Sequence, residues 1–211
     1  MSPEAAPHTP RFSFLAGRPS LDFANTVDWH ASDHPQDRLR DFADLVIWSE
    51  RAGVLSEPDA QDLLAQGRRR PAEAASTFAT ALALREALYR AFSGVAAGQG
   101  VAPEDLAALT AARRAIACRE QLVEDAGAYT WRTDLADAGL DRVWWPLAQD
   151  AADLLTSPAL QRVRECADDR GCGWLFLDTS PSGRRRWCSM EDCGNRAKAL
   201  RHRQRTAQRA G

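Results

Sequence analysis

Four cysteines near the C-terminal end, Cys166, Cys172, Cys188 and Cys193, follow the spacing C-x5-C-x15-C-x4-C. Two close pairs of thiolates are a donor set for tetrahedral zinc, at sulfur distances of about 2.3 Å, and short loops converge such ligands at little entropic cost. Four protein sulfurs leave no position for water or substrate, so the expected cofactor is one structural Zn2+. Four reduced thiols in a small apolar cluster would give the same spacing without a metal. Cys118 stands apart from the group, and nothing in the sequence gives it a role.

The flanking segments must position these sulfurs. Trp174, Phe176 and Asp178 alternate with Leu175 and Leu177, residues 179–183 are rich in turn formers, and Arg186, Trp187 and Cys188 return the chain. That pattern predicts a hairpin between the two pairs. After Cys193, Gly194 and Asn195, the run RAKALRHRQRTAQR lacks Pro and Gly and reads as a helix from Asn195 to Arg209. Ligand loop, hairpin, ligand pair and helix make a treble-clef-like order. At about 100° per residue, Lys198, Arg201, Arg205 and Arg209 share one stripe, with Ala199, Leu200 and Ala207 opposite. Such a face suits a nucleic-acid groove or phosphate backbone, and Arg184, Arg185 and Arg186 would extend it. Arg196 and Arg203 point nearer the apolar side, where a guanidinium could pair with Asp178.

Charge supports this division of labour. Residues 184–211 carry nine Lys/Arg against Glu191 and Asp192, a net +7 in a chain of formal charge −2, so the rest sums to −9. An acidic body repels polyanions, so nucleic acid would be met through the basic tail alone. With 211 residues, 45% hydrophobic and 27% charged, the chain suits one main domain plus a small module, divided as 1–157 and 158–211, and the zinc should matter only locally. No apolar run approaches the roughly 20 residues that span a bilayer and no signal peptide is visible, which predicts a cytoplasmic protein in a reducing compartment. A Gly-rich phosphate loop, G-x-S-x-G and H-E-x-x-H are all missing, so no enzyme is expected.

The large domain reads as α+β, mainly helical with a small hairpin. Residues 1–10 read as frayed, Phe12 begins a strand-like stretch, and a short helix opens near Pro19. Helices are predicted from Leu39 to Ala52, from Ser56 with its Asp59 capping partner to Gln66, along the stripe Phe78, Leu82, Leu88, Tyr89, Phe92 and Val95, and from Pro103 with Leu106, Leu109 and Ile116 inward. A hairpin follows at 119–133 with its turn at Glu124 to Gly127. Trp144, Leu147, Ala151, Leu154 and Leu155 mark another helix, and Ser157-Pro158 caps a last one that leads to Cys166.

Asp22, Asn25 and Thr26 interrupt an apolar run. On a helix Asp22 and Asn25 share a side, so the three could line a small-molecule pocket, or they could cap helix ends and tie down the N-terminal segment. His30 and His34 lie in a polar loop, where exposure is the simplest expectation.

FLDTSPSGRRRWCSMEDCGNRAKALRHR resembles the CGNR zinc-finger family, named for Cys193-Gly194-Asn195-Arg196, over roughly residues 160 to 205. GRPSLDFANTVDW and LVIWSERAGVL look like the ABATE domain that accompanies this finger in bacterial proteins described as stress-induced transcription regulators. The resemblance implies DNA binding by the finger and a domain that senses a ligand or stress signal. A DNA-binding regulator is therefore expected, with an unknown small-molecule effector and dimerisation through the large domain raising its effective concentration on DNA. An RNA-binding module, with Trp174 or Trp187 stacking on bases, a protein-interaction finger, and a small-molecule enzyme or carrier are the alternatives.

Overall fold

The computed structural model describes residues 12–133 and 138–210, with side chains described through Thr206. The expectation for residues 1–10 lies outside the described residues. Residues Phe12 to Ala16 form no strand, although the Ala16 carbonyl accepts the Leu177 N–H at 2.8 Å. Helix α1 (Pro19–Ala24) has proline at its start, where a missing N–H costs nothing. Strands β1 (Val27–Asp28) and β2 (Gln36–Asp37) then pair antiparallel around a loop carrying Trp29 and His30.

Helix α2 (Phe42–Arg51) begins at Asp41, whose carboxylate accepts the Asp44 N–H, and ends before Gly53 at φ 73°. Helix α3 (Glu57–Arg69) is capped by the Ser56 hydroxyl and runs three residues beyond the expected Gln66; Pro71 starts a new helix. Helix α4 (Pro71–Ala96) is the central rod, packed against α1, α2, α3 and α5 (Pro103–Ala117). Strands β3 (Glu120–Asp125) and β4 (Ala128–Thr133) form the expected hairpin; Ala126 and Gly127 both have positive φ, as a two-residue turn requires. Helix α6 (Trp145–Leu155) closes the bundle, and Trp48, Phe23, Phe92, Leu45, Leu88 and Leu147 are fully buried in its core. Each such side chain stabilises the fold by about 1.5–3 kcal/mol.

Three expectations are corrected. Leu106 is 46% exposed, because the inward stripe of α5 runs through Asp105, Leu109 and Ile116, with buried Asp105 held by Arg90 at 2.5 Å. After Ser157-Pro158 there is only a 3-10 turn, Pro158–Arg162, and a strand, β5 (Val163–Glu165), delivers the chain to Cys166. That strand pairs with β6 (Leu175–Leu177), so the hairpin encloses the first cysteine pair and does not lie between the two pairs. The competing term is tertiary: Val163 and Leu175 complete the main hydrophobic core, burial that a strand made of residues 184–188 could not obtain.

The module is thereby seated in the body. The Asn25 amide group donates to the Leu175 carbonyl and accepts the Leu175 N–H, both at 2.8 Å, as a strand would. The Trp174 indole donates to Val27 O, and the His30 N–H donates to Cys172 O. Gly173, at φ 68°, has no room for a side chain: a Cβ would stand 2.7 Å from Ala31 N and 2.8 Å from the Tyr89 hydroxyl.

Candidate metal centre and nucleic-acid interface

Strand β5 ends one residue before Cys166, the β5–β6 loop carries Cys172, and a single π turn, Met190–Gly194, joins Cys188 to helix α7 (Asn195–Ala210) and carries Cys193. All four cysteines are buried, and their sulfurs lie within 4.8 Å of one another. Cys172 and Cys188 sulfurs are 3.8 Å apart, and those of Cys188 and Cys193 are 3.6 Å apart. Ligands about 2.3 Å from a tetrahedral zinc are separated by about 3.8 Å, so the cluster has the size of a zinc cage. Crowding makes four bare thiolates untenable: hydrogen bonds shared with Cys166 push the Cys188 thiol up, and burial pushes up that of Cys193. A divalent cation resolves this conflict, and the four cysteines form the structural zinc site of the chain. Cys118 is exposed and takes no part in it.

Groups around the cage direct donors at the sulfurs. The Cys188 N–H donates to Cys166 Sγ at 3.5 Å, and Arg196 Nη2 approaches Cys193 Sγ at 2.7 Å. Arg196 also donates to Asp168 from Nε and Nη2, at 3.2 and 3.1 Å, which corrects the expected pairing with Asp178. Burial alone would raise the Asp168 carboxyl, but hydrogen bonds from Arg170 and Arg196 hold it well below the usual carboxylate range. Asp178, fully buried, instead accepts the Ser180 and Arg185 N–H groups and closes the turn of residues 178–185.

Trp29, a bulky residue at φ 57°, lies under the guanidinium groups of Arg170 and Arg196, 5.3 and 5.2 Å from the ring centre. This strained residue of the body therefore braces both halves of the zinc module. His30 is not an exposed loop histidine: its ring stacks on Tyr89 at 3.5 Å, and Nε2 contacts Glu86 at 2.9 Å. Neither contact had a sequence signal, since both partners come from α4, more than fifty residues further along the chain. His34 is exposed.

The basic residues divide into two groups. Arg185 is half-buried, with Nε donating to Trp187 O, Nη2 to Cys188 O, and its guanidinium 4.4 Å from the Phe176 ring centre, so it is a strut of the cage. Arg184, Arg186, Lys198, Arg201 and Arg205 are exposed. Arg186 and Arg201 flank Trp187, at 5.3 and 5.8 Å, which joins the residues 184–187 segment to the α7 stripe. Ala199 is exposed too, and from Arg201 to Thr206 every described side chain faces solvent. The Arg209 and Ala207 side chains lie outside the described residues.

Asp22, Asn25 and Thr26 do not line a pocket. All three are buried and spend their polar atoms inside the chain: Asp22 accepts the Ala16 N–H, Asn25 bridges to Leu175, and Thr26 donates to Phe23 O and accepts from Arg85. Burial pushes the Asp22 carboxyl up to about 6, against the lowering hydrogen bonds from Ala16 and Leu15. An acid whose pKa is raised by folding binds more protons in the folded state, so its contribution falls as pH rises through about 4 to 6. Relative to an Asp22→Asn variant, which keeps an acceptor for Ala16, the parent should lose roughly 1–3 kcal/mol in urea melts between pH 4 and pH 7. Parallel pH profiles for the two proteins would refute this.

A four-sulfur zinc cage on a hairpin and a helix, docked on a helical α+β body, defines the class: a two-part zinc-finger protein. Residues 17–158 match the ABATE family, described as "Putative stress-induced transcription regulator", and residues 162–206 match the CGNR zinc finger. The chain belongs to the ABATE family and carries a CGNR zinc finger at its C-terminal end. Comparison with curated proteins gives no match. Among the described residues no helix is long and apolar enough to cross a membrane.

Proposed function

We propose that the protein is a cytoplasmic, non-catalytic regulator that binds duplex DNA through α7 and the adjoining Arg184 and Arg186, with its helical body sensing a signal. The observation that carries this reading is the solvent-exposed cationic end of α7, residues Arg201 to Thr206, projecting from an otherwise acidic chain. The zinc cage fixes the root of that helix, so the cations are presented from a rigid base, and Lys and Arg contacts to phosphate supply the affinity. RNA recognition by base stacking has less support, because the Trp174 indole is tied to Val27 and Trp187 is flanked by two arginines. With one helix per chain, dimerisation through the body would strengthen binding.

Salt titrations of duplex DNA, single-stranded RNA and heparin test the proposal. The double substitution Lys198→Ala/Arg201→Ala should weaken duplex binding about tenfold or more and reduce the slope of log affinity against log salt by about 2, without loss of zinc. Equal affinity for all three polyanions would defeat a DNA-specific regulator, and unchanged binding by the double variant would move the contact surface elsewhere.

A further inference from the structure

The β3–β4 hairpin is a two-stranded sheet with no third strand among the described residues. In its register Leu122 stands opposite Trp131 and Glu124 opposite Tyr129, so Leu122, Tyr129 and Trp131 lie on one face. These three are 59, 72 and 66% exposed, high for large side chains gathered in one patch. The root of this arm is fixed: Glu120 pairs with Arg113 of α5 at 3.0 Å, and the Arg119 guanidinium lies 5.2 Å from the Trp145 ring centre. Glu120, Glu124 and Asp125 against Arg132 make the arm acidic, which disfavours a polyanion or an anionic membrane as its cover. A protein surface is left.

The same body offers an apolar groove of about 320 Å³ between α4 and α5. Leu84 and Trp144 are buried at its base, Ala83, Ala108 and Ala111 are exposed along it, and no charged side chain is among its lining residues. We propose that the arm of one copy seats Trp131 and Leu122 in the α4–α5 groove of a second copy, and that the second copy's arm does the same in return. The six-residue strands span about 20 Å, and the groove lies about 10 Å back along α5 from the arm's root, so reciprocal exchange is within reach. Two such contacts close a two-fold dimer. Area decides for exchange over the packing of hairpin on hairpin. With rings of roughly 150–250 Å² at these exposures, each arm has about 400 Å² to cover. Two arms in two grooves would bury about 1,600 Å², the size of a standard stable interface, and hairpin on hairpin only about half of that. The exchange supplies the dimer that the DNA-binding reading calls for; only that consequence rests on the reading, because association itself needs no DNA.

Sedimentation of the zinc-loaded full chain without DNA tests it, and a dimer is expected. Trp131→Ser with Leu122→Ser should weaken self-association about tenfold or more. Ala111→Glu, which sets a charge in the groove from an exposed helix position, should do the same without touching the arm. Both proteins should keep the helical circular dichroism of the parent. An equimolar mixture of the two should associate more tightly than either alone, because one intact arm then meets one intact groove. A monomeric parent, a dimer indifferent to Ala111→Glu, assemblies larger than a dimer, or a mixture no tighter than its components would overturn the proposal. Duplex affinity of the parent chain, measured in parallel, reports on the DNA-binding reading separately.

Discussion

Replacing Cys188 with serine should release the zinc and lower the melting temperature of the whole chain, including the helical body. Cys188 is at the centre of the cage, 3.8 Å from Cys172 and 3.6 Å from Cys193, and it donates its own N–H to Cys166. Structural zinc contributes on the order of 10 kcal/mol to small fingers that fold around it. In this chain the effect spreads, because the β5–β6 hairpin holding the first pair also supplies Val163 and Leu175 to the main core. A loss of several kcal/mol is therefore expected from the body as well, a large fraction of a typical domain's stability. Metal analysis should fall from one zinc per chain towards none, and the helical circular-dichroism melt should move down with it. If the variant kept its zinc, the ligand set would be wrong; if it lost zinc with the helical melt unmoved, the module would be energetically separate from the body. A chelator acting on the parent protein should reproduce the variant.

Asn25→Ala should be strongly destabilising for a polar residue that lies outside the cage. Its amide fills both the donor and the acceptor of buried Leu175, acting as a piece of strand at the edge of β6. Truncation leaves a buried N–H and a buried C=O without partners, at about 1–3 kcal/mol each, so a total near 2–5 kcal/mol is expected. For a chain of this size that corresponds to a fall of roughly 5–15 °C in melting temperature. The substitution should also hasten zinc transfer to a competing chelator, because Leu175 lies three residues from Cys172 and on the strand that holds the first pair. Equal melting temperatures in parent and variant would show that water substitutes for the amide. Asn25→Asp should be no better tolerated at neutral pH, because it sets a buried carboxylate against the Leu175 carbonyl.

The cage itself was legible because cysteine is a scarce and specific donor: four of them in two pairs left few other readings, and their convergence is what short loops enforce. The phase of α2, the cap at Ser56 and the β3–β4 turn were legible for a similar reason, since each depends on neighbours within a few residues. Strand pairing around the cage was not. Trp174 to Asp178 alternates as a strand should, but alternation does not name a partner, and the choice between residues 163–165 and 184–188 was made by core burial of Val163 and Leu175. Leu106 failed because α5 turns a buried aspartate inward to meet Arg90, a pairing between helices that no periodicity contains.

The arginines draw the same boundary. Sequence determined that the C-terminal segment is cationic, that α7 would be helical, and that Lys198, Arg201 and Arg205 would share a stripe; composition and helical periodicity are local properties. Tertiary structure decided which cations remain available: Arg185 is consumed by the carbonyls of Trp187 and Cys188, and Arg196 by Asp168 and Cys193, while Arg184, Arg186 and the α7 stripe stay in solvent. It also decided that Asp22, Asn25 and Thr26 are ties and not a pocket, and that the cysteine module is seated in the body. The physical reason is common to all of these. A side chain's charge and propensity travel with the residue, but its hydrogen-bond partners and its access to water are set by whichever distant segment packs against it.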